Sequence, residues 1–411
     1  MNLRRTLTTT DAVVVGLAAM IGAGVFVVFA PAAEAAGDAL LLALAAAAVV
    51  AYANATSSAR LAARYPEAGG TYVYGRERLG PFWGYVAGWS FVVGKTASCA
   101  AMAVTVGLYV WPGQEYLVAV AAVVALTALN FAGVQRSARV TRAAVAVVVA
   151  VLLAVVAVSL LNPAGAVPVS DDGATGPLGV LQAAGLLFFA FAGYARIATL
   201  GEEVRDPSRA IPRAIAVALL VALGLYALVA VALLRVLGSG GLARATAPLV
   251  EAVQVAGAGG LAPVVRVAAA LAALGALLAL ILGVSRTTLA MARDRHLPAP
   301  LAVVHPSGVP RHAELAVGGV VAVVAALMDV RAAIGFSSFG VLVYYAIANA
   351  SAWTLRRAEG GPPRVVSAVG LGGCLVLAFT LPTTAVLAGV GVLALGVLAY
   401  VLGARRRRAA A

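Results

Sequence analysis

The sequence predicts an all-α integral membrane protein with about twelve transmembrane helices. Its 411 residues are 63% hydrophobic and 11% charged, whereas soluble domains average about 45–50% apolar and about 25% charged residues. Apolar runs of about 20 residues, the length that crosses a bilayer, recur along the whole chain. The basic residues lie mainly in short connections between these runs, so the net charge of +13 is expected to orient the chain in a membrane and not to bind nucleic acid.

The apolar runs follow one another with short connections. They lie at 11–36, 38–59, 81–111, 115–133, 140–161, 178–201, 210–236, 262–285, 313–330, 332–355, 364–381 and 383–403. The first run is long and is followed by another span, so we expect a retained helix and not a cleaved signal peptide. The turns near Pro112 and Leu381 are tight, which leaves eleven spans as an alternative.

The basic residues predict the orientation. Most of the 29 lysines and arginines fall in the termini and the even-numbered connections, including Arg286 and Arg293 after the eighth run. The odd-numbered connections carry Arg235, Arg244, Arg266 and Arg331. Cytoplasmic connections are the ones rich in Lys and Arg. Both termini are therefore predicted to lie in the cytoplasm.

The first and sixth runs carry glycines in positions that interrupt a helix. The first reads Gly22-Ala23-Gly24 and the sixth Phe191-Ala192-Gly193. Backbone groups in a membrane can leave the helix ladder where they line a cavity or meet a ligand, and interruptions at matching positions of two repeats indicate a transporter site. The alternative is that these glycines only allow close helix packing.

At these residues the chain resembles the amino acid–polyamine–organocation superfamily of permeases. The similar segments are Gly22-Ala23-Gly24-Val25-Phe26, Phe188-Phe189-Ala190-Phe191-Ala192-Gly193 running into Glu202-Glu203, Gly133-Val134-Gln135-Arg136-Ser137-Ala138, and Ala290-Met291-Ala292-Arg293-Asp294-Arg295-His296-Leu297-Pro298. The resemblance implies a five-plus-five inverted repeat like that of the bacterial leucine transporter. Residues 1–161 would form the first repeat, 162–357 the second, and 358–411 two peripheral helices with a basic tail.

The resemblance also implies a function, namely movement of an amino acid or related amine across the cytoplasmic membrane by alternating access. The interruption in the first helix offers N–H groups and a positive helix end to a carboxylate, and carbonyls near the interruption in the sixth suit an ammonium. The expected substrate-binding residues are Met20, Ile21, Gly22, Ala23, Gly24, Phe191, Ala192, Gly193 and Tyr194. The aromatic members also fit ordinary helix packing.

Three further residues are candidates for ion coupling or pairing. Lys95, the one lysine in the sequence, falls inside the third run, where a charge costs roughly 2.5–3.5 kcal/mol on insertion scales. Burial favours the neutral form of a lysine, so Lys95 is a candidate proton carrier; a shallower, snorkelling lysine is the alternative. Arg196 is expected to pair, with Glu202 or Glu203 as the candidate partner, or to contact substrate; a shallow cytoplasmic position with a structural role is the alternative.

The chain departs from the family in two positions that bear on coupling. Proton-coupled relatives often carry a lysine in the fifth helix, where this chain has Val148, and sodium-coupled relatives use hydroxyls in the eighth helix, where no Ser or Thr lies between Arg266 and Ser285. We therefore expect sodium independence, with proton coupling through Lys95. An exchanger, a facilitator and a non-transporting sensor are the alternatives.

Catalysis is not expected. No predicted span contains a histidine, and the acidic residues cluster in the connections, so neither a catalytic set nor a metal site is expected at membrane depth. The histidines His296, His305 and His312 have no metal-binding spacing, and no cofactor is expected.

Overall fold

The computed structural model describes residues 7–65, 69–132, 138–162, 176–198, 200, 204–305 and 310–409. Its α-helices are α1 (Thr9–Ile21), α2 (Gly24–Val27), α3 (Phe29–Ala36), α4 (Leu40–Arg64), α5 (Thr71–Leu79), α6 (Pro81–Val110), α7 (Glu115–Phe131), α8 (Ala138–Leu161), α9 (Pro177–Phe191), α10 (Ala195–Ala198), α11 (Pro207–Arg244), α12 (Pro248–Val255), α13 (Ala262–Arg293), α14 (Arg311–Leu327), α15 (Val330–Trp353), α16 (Arg364–Thr380) and α17 (Thr383–Ala409). A backbone bridge joins Leu7 to Val204.

Every predicted apolar run contains a helix. Among the described residues, 9 helical segments are long and apolar enough to cross a membrane, and α7 and α16 are shorter apolar helices. The protein is thus an all-helical, multi-pass membrane protein. The count of twelve spans, the inverted repeat and the division at residues 161 and 357 remain predictions.

Local sequence explains where several helices begin. Thr8 and Asp11 form a reciprocal capping box at the start of α1, in which each side chain accepts the other residue's backbone N–H, and this satisfies N–H groups that lack a partner within the helix. Asp329 caps α15 by accepting the N–H groups of Arg331 and Ala332. Proline opens α6 and α9, where its missing N–H is not needed.

Two long helices extend beyond the predicted runs. The segment α11 is 38 residues long and is kinked at Gly238, whose φ of 66° takes that residue out of the helical region. The helix α13 continues to Arg293. The placement of Arg286 in a connection was therefore wrong, because Ser285 to Arg293 continue the helix.

The helix α6 lies at the centre of the packing and α17 lies at the outside. The backbones of α6 and α15 meet at a pair of glycines: a Cβ added to Gly340 would lie 2.9 Å from the Cα of Gly94. In contrast, only 17% of the apolar part of α17 is buried, and its residues Leu387 and Leu395 are exposed. An exposed apolar face of this kind suits contact with lipid.

Candidate functional site

The first predicted interruption separates α1 from α2. The helix α1 ends at Ile21, and Gly22 takes φ 18° and ψ −134°, outside the helical region, while its N–H still donates to Ala18 O at 3.2 Å. The helix resumes at Gly24. Gly22 therefore breaks the helix, and Gly22 and Ala23 connect its two pieces.

The second interruption is milder. The helix α9 ends at Phe191, Ala192–Tyr194 form one turn of 3₁₀ helix, and α10 follows directly. A 3₁₀ turn tightens the chain and displaces carbonyls from the α-helical ladder without opening a gap. The backbone here is redirected rather than fully unwound.

The two interruptions pack directly against each other. A Cβ added to Gly193 would lie 2.5 Å from both Ala19 O and Met20 N, and one added to Gly24 would lie 2.9 Å from Ala190 Cα. Since Cβ atoms do not approach backbone so closely, both positions require glycine. Gly24 and Gly193 thus admit the neighbouring helix, as the close-packing interpretation expects, and their role in substrate binding stays a prediction.

A tyrosine on α11 ties the two interrupted helices together. The Tyr226 hydroxyl donates to Met20 O at 2.6 Å and is 3.2 Å from Ala190 O, so its one proton lies between a carbonyl of each helix. Its ring contacts that of Phe191, with the centroids 5.1 Å apart. Tyr226 is fully buried, which means that it satisfies carbonyls that water does not reach.

A second group of side chains converges on the carbonyl of Ala192. Lys95 Nζ and the Tyr345 hydroxyl each donate to Ala192 O at 3.4 Å. Lys95 is 6% exposed, so it does not reach out to a surface. The Tyr345 ring also lies 5.1 Å from that of Tyr194. The carbonyl displaced by the 3₁₀ turn therefore accepts an ammonium group.

Two cavities flank the interruptions. The smaller, about 140 Å³, lies between α6, the α9–α10 junction and α13; the larger, about 290 Å³, lies between α1, α8, α10 and α13. Small-molecule sites are typically about 300–1,000 Å³. Arg196 and Arg286 line both cavities and Lys95 lines the smaller one, and no carboxylate occurs among the described lining residues.

A polar cluster lies at one end of the smaller cavity, next to its lining residues Gly69 and Ala290. The Tyr72 hydroxyl donates to the Asp294 carboxylate and lies 3.0 Å from His296 Nδ1. The same carboxylate also accepts from Arg76 Nη1 at 2.9 Å. Burial raises the pKa of Tyr72, and the Asp294 carboxylate raises it further. Tyr72 therefore stays a neutral donor, and α5 is attached to the connection after α13.

Comparison with known proteins shows the family of this chain. A family model described as amino acid permease matches residues 7–403. The chain belongs to the amino acid permease family. An uncharacterized transporter of Mycobacterium tuberculosis is 68% identical over 98% of this chain and 92% of its own length. The branched-chain amino acid permease BcaP of Bacillus subtilis is 26% identical over 90% and 85%, and human cationic amino acid transporter 4 is 30% identical over 88% and 61%. The superfamily expected from the sequence motifs is confirmed.

The expected site residues of this permease fall into two groups. Ile21 and Gly22 line the larger cavity, Lys95, Ala192 and Gly193 line the smaller one, and Arg196 lines both. The others lie in the packing around the interruptions, namely Met20, Ala23, Gly24, Phe191 and Tyr194, all of them buried. Glu202 lies outside the described residues.

Three residues at this site were not among the expected ones. Tyr226 and Tyr345 are tyrosines within apolar runs and have no local sequence signal. Arg286 was counted with the basic connections, but continued helical spacing after Ser285 could have placed it on α13. Val148, where the resemblance predicts the position of a lysine in proton-coupled relatives, lines the larger cavity.

Proposed function

We propose that this permease is a secondary active transporter that moves an amino acid across the cytoplasmic membrane by alternating access, coupled to protons and independent of sodium, with both termini in the cytoplasm. The observation that supports it most is the contact between two interrupted helices beside two cavities. Interrupted helices are where transporters of this type hold substrate.

The substrate's two charged groups have complementary partners in this arrangement. Its carboxylate is proposed to meet the backbone N–H groups of Ala23 and Gly24, where a helix begins, because the N–H of Gly22 already donates to Ala18 O. Its ammonium is proposed to meet the carbonyl of Ala192, which already accepts the ammonium of Lys95. Because both ammonium groups need the same acceptor, substrate binding would displace Lys95 from Ala192 O.

This competition gives a route to proton coupling. A lysine in an apolar interior is stable as a cation only while carbonyls or anions satisfy it. Once displaced, the Lys95 ammonium would keep its proton by pairing with the substrate carboxylate, so that proton and substrate cross the membrane together. Release of the substrate into the cytoplasm would remove that anion, and Lys95 would then favour its neutral form and release its proton on the same side. In this role Lys95 takes the place of the fifth-helix lysine that Val148 replaces.

The charges around the cavities favour a substrate without a cationic side chain. Lys95, Arg196 and Arg286 line them, and a further cation would be repelled at short range. The apolar lining of the smaller cavity, which includes Phe91, Met102 and Phe189, suits an aliphatic side chain. We therefore propose a neutral amino acid, a class that includes the branched-chain amino acids for which the Bacillus subtilis relative is named, over the cationic class for which the human relative is named.

The test is uptake of a radiolabelled mixture of the twenty amino acids into proteoliposomes, with and without an inward proton gradient and with and without sodium. Competition by single unlabelled amino acids then identifies the substrate. Gradient-driven, sodium-independent accumulation is expected, with leucine and valine as stronger competitors than lysine and arginine. Uptake into preloaded liposomes alone would instead indicate an exchanger, and no uptake by folded protein would indicate a sensor.

A variant tests the role of Lys95. Lys95→Ala is expected to abolish stimulation by the gradient, because it removes the group that carries the proton. Thr96→Ala is the matched control, since it trims the neighbouring α6 side chain, whose hydroxyl donates to Val92 O, and leaves Lys95 in place. Normal gradient stimulation in Lys95→Ala would rule out coupling through this residue.

A further inference from the structure

A buried acidic residue on α14 lies outside the site described above. Glu314 is 0% exposed, and neither of its carboxylate oxygens has a hydrogen-bond partner among the described residues. Buried carboxylates are ordinarily paired or bound by several donors. Glu314 therefore has an unusual environment that packing alone does not explain.

The position of Glu314 in the helix does not explain it either. Acidic residues are common in the first turn of a helix, because N–H groups there attract them. Glu314 occupies the first turn of α14, but its carboxylate accepts none of those N–H groups.

The surroundings of Glu314 are largely uncharged. One turn along the same face, Gly318 packs on α7, where an added Cβ would be 2.5 Å from Thr127 Oγ1, a hydroxyl that also lacks a partner among the described residues. On its own helix, Arg311 lies over the Phe131 ring at 4.3 Å from the centroid. The helices packed against α14 are α6, α7 and α13. Their charged residues are Lys95 on α6, Glu115 at the far end of α7, and Arg266, Arg286 and Arg293 on α13.

Among these groups, Arg286, on the helix α13 that packs against α14, is the one whose positive charge favours the ionised form of the Glu314 carboxylate. The same guanidinium lines both cavities. A change of charge at Glu314 therefore changes the electrostatic environment of a residue that the substrate pathway contains. This connects an acid in the packed scaffold with the proposed transport site.

We propose that Glu314 is a proton-binding site of this permease and that its proton controls the position of Arg286. With the proton bound, the acid is neutral and tolerates its apolar surroundings. Without it, the carboxylate attracts the Arg286 guanidinium away from the cavities. The link to transport rests on the function proposed above.

The first experiment compares Glu314→Gln with wild-type protein in proteoliposomes, using the radiolabelled amino-acid mixture. Glutamine mimics the protonated acid and cannot release a proton. We expect Glu314→Gln to keep exchange into preloaded liposomes but to lose stimulation by the gradient, while Glu314→Asp retains stimulation. Glu115→Gln, on the more exposed end of α7, is the matched control and should behave as wild type.

The second experiment measures thermal unfolding of the full-length protein in detergent as a function of pH. A proton held by a buried acid stabilises the fold at low pH and is lost as pH rises. The wild-type midpoint should therefore fall relative to that of Glu314→Gln as pH increases. A constant difference between the two would overturn the assignment of Glu314 as a proton site.

The two experiments separate the possible failures. Full gradient stimulation in Glu314→Gln would overturn the proposed link between Glu314 and transport. A wild-type protein without a gradient response would contradict the proposed coupling instead, and the unfolding curves would still decide whether Glu314 binds a proton.

Discussion

The contact between the two interrupted helices can be tested at Gly193. In Gly193→Ala the new Cβ would lie 2.5 Å from Ala19 O and from Met20 N. These are backbone atoms, so no side-chain rotation relieves the overlap and one of the helices must move. Overpacking typically costs about 1–3 kcal/mol, and we expect the upper part of that range because the neighbour is backbone. The same shift would disturb Met20 O, the acceptor of Tyr226.

A second glycine in the same cavity provides the control. Gly283 on α13 also lines the smaller cavity, but a Cβ there would meet nothing within 4 Å. Gly283→Ala should be neutral or should stabilise the helix by up to about 1 kcal/mol. The assay is thermal unfolding of both variants in detergent, followed by uptake into proteoliposomes. Equal melting behaviour of Gly193→Ala and Gly283→Ala would refute the proposed close contact.

Two further predictions concern hydrogen bonds. Tyr226→Phe removes the donor shared by two buried carbonyls and should lower the free energy of unfolding by about 1–3 kcal/mol, whereas Tyr116→Phe at an exposed tyrosine should not; equal effects in denaturant unfolding would contradict this. The pKa of Glu359 is lowered because its carboxylate accepts the N–H of Arg356 and bonds from Arg78. That stabilisation is present above the unfolded-state pKa and is lost as pH falls through the lowered, folded-state pKa. Wild type should therefore unfold at a higher temperature than Glu359→Gln at neutral pH, and this difference should disappear on acidification. A difference that persists in acid would contradict the prediction.

Much of the fold could be predicted because a bilayer imposes strong constraints on sequence. Long apolar runs located the helices, and paired glycines located the interruptions near Gly22 and Ala192. Helix ends were less predictable, because a helix can continue past the apolar run when its polar residues face other parts of the protein. The continuation of α13 through Arg286 is an example.

The details of the site could not be predicted because they depend on which helices meet. Nothing near Tyr226 in the sequence distinguishes it from other tyrosines in apolar runs; it matters because α11 crosses both interrupted helices. Glu314 is a similar case, since its place at the start of an apolar run suggests an exposed helix end. Only the packing of α7 against α14 shows that it is buried.

The choice of lysine at position 95 supports its proposed role. This chain has one lysine among its 29 basic residues, so arginine is the usual choice wherever a positive charge suffices. Arginine does not give up its proton in proteins, whereas a buried lysine does so readily. Lys95 is held in the interior by the carbonyl of Ala192 at 3.4 Å, a weak acceptor that a substrate ammonium can also use. A position that must alternate between charged and neutral forms is one where arginine could not replace lysine.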